Sequence, residues 1–138
     1  MKDTVTFETA ARLKEAGFPQ PTPEAGQWWY NPDYGIFLTG KLSPYDGRER
    51  HIYYPDTGNV FFKNQVLFPD CVFAPTATDI LRELSSDCVL GTKKLGGWIC
   101  GSWRLISSDH MKFFVAGMHD ENPAEAAAEA WLKLHDKK

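Results

Sequence analysis

The closing stretch ENPAEAAAEAWLKLHDKK, residues 121–138, constrains this chain more than any other. Asn122 suits a helix N-cap and Pro123 the first helical position. Glu125, three residues after the cap, is placed to reach back to it. Ala127, Ala130, Trp131 and Leu134 then recur on one face, with Glu125, Glu129 and Lys133 on the outer side at spacings that favour a Glu129–Lys133 pair. A face built of alanines must lie close against a sheet or another helix, because small side chains bury little unless backbones approach. Trp131 supplies the one large contact, so the stretch reads as a tightly packed cover helix.

The remaining elements follow from punctuation and period. TFETAARLKEAGF reads as a short helix with Phe7, Ala10 and Ala11 on a face flanked by Leu13. Gly17 falls at the left-handed position after that helix, and Phe18 at the position that touches Leu13 in a Schellman ending. The proline-rich PQPTPEAG is a linker. GQWWY and GIFLTG read as strands closed by NPDYG, with the polar loop KLSPYDGRER after them. RHIYYP and NVFF flank PDTG as a second hairpin, and QVLF and CVF continue the strand pattern. The period turns helical at APTATDILREL, where Thr76 and Asp79 form a capping box and Ala77, Ile80, Leu81 and Leu84 an apolar face. DCVL, GGWICGSWRLIS and HMKFFVAGM return to strand. The last two are joined through SSDH, and their glycines signal bulges or bends. Strands and helices do not alternate, which disfavours a doubly wound parallel sheet. The expectation is a single α+β domain over residues 1–138: an antiparallel sheet with N-terminal, central and C-terminal helices packed mainly on one face.

At 138 residues and 43% hydrophobic, the chain has enough apolar matter for a core. A net charge of -3 argues against general nucleic-acid binding, which needs a basic surface to neutralise phosphates. Between Gly91 and His119, however, Lys93, Lys94, Arg104 and Lys112 face only Asp109, so this segment is net positive and the remainder strongly acidic. Cys71, Cys88 and Cys100 are odd in number and lack any CxxC, against a disulfide scaffold or a zinc ribbon. MKDTVTFETA has no apolar signal region, and no run approaches membrane-spanning length. A cytoplasmic protein with reduced thiols is expected.

Catalytic patterns do not assemble. His51, His110, His119 and His135 are scattered, without HExxH or ligand spacing to a cysteine, so no metal is expected. No GxSxG elbow occurs, and Cys100 in CGSW sits in a strand-like run where a cysteine acts as a small hydrophobe. LGGWICG matches neither phosphate-loop spacing. No catalytic residue or cofactor is assigned. An enzyme with an unrecognised site, such as a hydrolase using His with Asp or Glu, has no positive support in the sequence.

The aromatics carry the functional reading. Trp28, Trp29 and Tyr30 are consecutive, as are Tyr53 with Tyr54, Phe61 with Phe62 and Phe113 with Phe114. Neighbours on a strand point to opposite faces. These doublets therefore demand either burial on both faces or an exposed aromatic surface suited to a partner. Candidate partner- or ligand-binding residues are Trp28, Trp29, Tyr30, Tyr53 and Tyr54. To these the positive segment adds Lys93, Lys94, Trp98, Trp103 and Arg104, an aromatic–cationic set fit for an anionic nucleotide.

LKEAGFPQPTPEAGQWWY, FAPTATDILREL and NPAEAAAEAWLKL together resemble small accessory proteins encoded by phages and prophages of gut bacteria. The resemblance rests on the Gly-Phe-Pro turn after the first helix, the capped central helix and the Trp-containing tail. It carries over no functional residue. It implies a bacterial cytoplasmic setting and action by binding. The expected partner is a host or phage protein, with self-association, or alternatively a small anionic signal molecule.

Overall fold

The computed structural model describes residues 4–42, 49–55, 58–64, 71–85, 87–93 and 96–135. QVLF, most of the KLSPYDGRER loop, the side chains of Phe61 and Phe62, and Lys94 lie outside the described residues. The fold is α+β, with three helices and two antiparallel sheets among the described residues. The chain divides into two compact units, Thr6–Ala74 and Met1–Val5 with Pro75–Lys138.

The Thr6–Ala74 unit starts with α1 (Phe7–Glu15), where the Thr6 hydroxyl accepts the Thr9 N–H. The helix ends in the expected Schellman geometry. Phe18 N–H donates to Leu13 carbonyl at 2.8 Å, and Gly17 N–H donates to Lys14 carbonyl at 3.1 Å, with Gly17 at φ +96°. The buried face is Thr9, Ala10 and Leu13 rather than Phe7, Ala10 and Ala11. This rotation by about one residue lets Phe7 turn outward to meet Tyr30 edge-on at 5.5 Å.

Strands β1 (Trp28–Asn31), β2 (Gly35–Leu42), β3 (Glu49–Tyr54) and β4 (Asn59–Asn64) form an antiparallel meander, and β5 (Val72–Phe73) pairs on the free side of β1. The first hairpin turns as expected at NPDYG: Asn31 Oδ1 accepts the N–H groups of Asp33 and Tyr34, and Gly35 takes φ +96°. Trp29 pairs in register with Phe37 on one side and Phe73 on the other, and all three are buried. Thr39, Ile52 and Tyr54 are buried as well. The proline-rich linker has a structural task, since Gln20 Oε1 accepts the Phe73 N–H at 3.1 Å.

In the other unit, α2 (Ala77–Arg82) carries both halves of the Thr76–Asp79 capping box. Strands β6 (Cys88–Thr92), β7 (Trp98–Ser107) and β8 (His110–His119) form a sheet in that order, and α3 (Pro123–His135) packs on the sheet and on α2. Thr4 bridges Thr76, and Val5 N–H donates to Pro75 carbonyl, so the first described residues are stitched into this unit.

Helix α3 fulfils the close approach its alanines imply. Ala124, Ala126, Ala127, Ala128, Ala130, Trp131 and Leu132 are buried, a wider face than expected, while Leu134 is exposed. Its seat is Gly117 on β8: a Cβ there would lie 2.3 Å from Ala126 O and 2.5 Å from Ala130 N, so only hydrogen fits between strand and helix backbone. Two details of the expected cap change. The Asn122 N–H goes to His119 Nδ1 rather than to Glu125, while Asn122 Oδ1 accepts the Ala124 and Glu125 N–H groups. Glu129 forms no ion pair with Lys133; its carboxylate accepts the Met118 N–H at 3.3 Å on the outer edge of β8.

Candidate interaction site: a two-faced β-ribbon

Strand β6 pairs with β7 only as far as Cys88 opposite Ser102. Beyond Ser102, β7 and β8 continue alone as a two-stranded ribbon, with Trp103 opposite Phe113, Arg104 opposite Lys112 and Leu105 opposite Met111. Two bulges bound it. Ala116 is the extra residue on β8 and Ile106 the extra residue on β7. Directly paired residues share a face and neighbours alternate. Trp103, Leu105, Met111, Phe113 and Val115 therefore form one wholly apolar face, and Arg104, Lys112 and Phe114 lie on the opposite one.

Within its own unit, and among the described residues, no helix or strand covers either face beyond Ser102. Trp103, Leu105, Met111 and Val115 are between 42% and 63% exposed, whereas Gly101 and Ser102, immediately before them, are buried. Trp103 and Phe113 meet edge-on at 5.2 Å, which fixes the aromatic centre of the apolar face. On the other face the Arg104 guanidinium lies 4.9 Å and the Lys112 ammonium 5.5 Å from the Phe114 ring centroid. Two cations directly opposite each other across a ladder repel. Their shared attraction to one ring offsets part of that repulsion. Neither forms an ion pair among the described residues.

The residues singled out from sequence are distributed rather than gathered. Trp29 is buried, with its indole N–H donated to Gln27 Oε1 at 3.0 Å, and Tyr54 is buried beside Phe37, its hydroxyl pKa raised chiefly by burial. These two belong to the core. Trp28 and Tyr30 are half-buried, and Tyr53 is 40% exposed. Trp28 pairs with Leu38 and Leu38 with Tyr53, so these three form a row on one face of the five-stranded sheet. Lys93 sits at the β6–β7 turn, its N–H donated to Gly97 carbonyl. Arg104 is seven strand residues beyond Gly97, roughly 20 Å away at about 3.3 Å per residue. Lys93, Trp98 and Arg104 therefore do not converge on one anion. Of the sequence candidates only Trp103 and Arg104 belong to the ribbon; Leu105, Met111, Lys112, Phe113, Phe114 and Val115 complete it. The signal that finds them is the alternation in WRL and MKFFV on either side of a turn.

Among the described residues no three His, Cys, Asp or Glu side chains come together as a metal site. Among the described residues Cys71, Cys88 and Cys100 form no disulfide, and burial pushes the Cys100 thiol up to about 11, away from nucleophilic reactivity. Among the described residues no helix is long and apolar enough to cross a membrane. Comparison of the chain with protein-family models, with curated proteins and with solved structures finds no match.

Proposed function

We propose that this chain is a non-catalytic binding protein that engages a protein partner through the apolar face of the β7–β8 ribbon. One observation carries the reading: five apolar side chains share a face of a two-stranded ribbon, and four of them are at least 42% exposed. Side chains this exposed cost free energy in water, and a partner that covers them recovers it. Trp103, edge-on to Phe113, is a rigid aromatic anchor of the kind that dominates interface energetics. The resemblance to small phage accessory proteins supports a host or phage protein as the partner. The scattered positions of Lys93, Trp98 and Arg104 leave a small anionic ligand without a built site.

The test is site-specific photo-crosslinking in the producing bacterium. The crosslinker is placed at Leu105 and, as a control, at the exposed Arg12 of α1. A discrete protein adduct from position 105, absent from position 12 and lost in a Trp103→Ser background, is the expected result. Native mass spectrometry of the purified protein supplies the opposing outcome. An excess of a few hundred daltons that leaves on denaturation, with no protein adduct from position 105, would replace this reading with small-molecule binding.

A further inference from the structure

Among the described residues strand β8 is the last strand of its sheet, and no strand pairs with its outer edge along the ribbon. We infer that this edge, from His110 to Val115, accepts an added β-strand from the partner. The added segment alternates apolar and acidic side chains, the apolar ones beside Met111, Phe113 and Val115 and the acidic ones beside Lys112, with Arg104 one strand further in. The inference rests on the partner-binding reading above and specifies what that partner presents.

Three observations converge on it. First, the usable edge has defined ends: the hairpin tip at Ser108 and Asp109 on one side, and on the other the Ala116 bulge followed by Met118, whose N–H is already taken by Glu129. The six residues between them match the length of an ordinary strand. Second, the two faces differ in chemistry, so a strand of period two meets an apolar surface with alternate residues and a cationic one with the rest. No acidic residue occurs from His110 to His119. Third, Arg104 and Lys112 stand opposite each other, and among the described residues neither pairs with a carboxylate. This like-charge pair is a cost in the isolated ribbon that an acidic neighbour removes.

A second copy of the chain fits less well. The apolar face consists of five side chains. A stable pair buries about 800 Å² on each partner. Two copies joined edge to edge would also set their cationic faces side by side. An added strand brings main-chain hydrogen bonds to an edge that already displays unpaired groups, so it needs less apolar area.

The experiment titrates the ¹⁵N-labelled full chain with capped seven-residue peptides. One alternates Val and Glu, one alternates Val and Lys, and one carries the Val and Glu residues in blocks. The alternating Val/Glu peptide should bind, slow amide exchange along His110–Val115, and bind at least tenfold more tightly than either control. Lys112→Glu should reverse the preference between the Glu and Lys peptides. Absence of binding, equal binding of the Lys peptide, or protection confined to other strands would overturn the inference. So would sedimentation showing that the free protein is a dimer through this edge. If crosslinking from position 105 yields a partner while the peptide fails, strand addition falls and the partner reading stands. If neither gives a signal, both fall.

Discussion

At the residue scale, Gly117 and Cys100 show how one position ties strand to helix or sets reactivity. Gly117 lies against the backbone of α3, where neither Ala126 O nor Ala130 N can move aside without displacing the helix. Gly117→Ala is expected to destabilise the protein by about 1–3 kcal/mol, the usual cost of overpacking, measured by urea unfolding. Gly91→Ala, where a Cβ meets nothing within 4 Å, is the matched control and should stay within about 0.5 kcal/mol. Cys100 makes a prediction in pH. Burial raises its thiol from 9.0 to about 11, so the folded state keeps it neutral while the unfolded chain ionises. Its contribution to stability is fully present below pH 9 and is lost as pH rises from 9 towards 11. The stability gap between the native chain and Cys100→Ala should therefore narrow over that interval. At pH 8, with only about a thousandth of Cys100 as thiolate, its alkylation should be slow until the protein unfolds.

At the element scale, the ribbon and α3 are opposites. Helix α3 buries more than half of its length, and its N-terminus is held by Asn122, whose Oδ1 accepts two helix N–H groups and whose Nδ2 donates to Thr4 carbonyl at 3.0 Å. Asn122→Ala removes all three bonds and is expected to cost about 1–2 kcal/mol by thermal or urea unfolding. The ribbon beyond Ser102 is stabilised mainly by its own ladder and by the Trp103–Phe113 contact. Leu105→Ser with Met111→Ser should change global stability by no more than about 1 kcal/mol, because the pair is a solvent-facing cross-strand contact. The same double variant should abolish the crosslink to a partner. Amides of the ribbon should exchange faster than those of Cys100 to Ser102, since local opening of the arm breaks few buried contacts.

At the scale of the whole molecule, the path of the chain matters more than its length. Thr4 and Val5 leave the helix they precede and join the unit that begins again at Pro75. Val5 is fully buried there. Deleting residues 1–5 should lower the stability of the unit containing α3 by about 2–3 kcal/mol, from lost burial of Val5 and its neighbours. Hydrogen exchange should show the loss in α3 and β6–β8 and leave β1–β4 protected. Loss of protection in β1–β4 alone would contradict this assignment. The charge layout operates at the same scale: the ribbon carries Arg104 and Lys112 on an otherwise acidic chain, so binding of an acidic strand should weaken with salt.

Local chemistry was legible wherever neighbours in sequence are neighbours in space. The Schellman ending at Gly17 and Phe18, the Thr76–Asp79 capping box, the turn at NPDYG, the α+β class and the alanine-built cover helix all follow from spacing alone, because each signal spans only a few residues. What spacing does not contain is which strands share a sheet and where each ends. The division of the strands into a five-stranded and a three-stranded sheet depends on pairings between distant segments, such as β5 with β1. The ribbon exists because β6 stops pairing at Cys88, which leaves β7 and β8 to run on together. Sequence alternation assigned Trp103 and Arg104 to opposite faces, but only the register of β7 against β8 set Phe113 beside Trp103 and Lys112 beside Arg104. Only the tertiary structure shows Trp103, Leu105, Met111 and Val115 exposed, because exposure depends on what distant segments pack against.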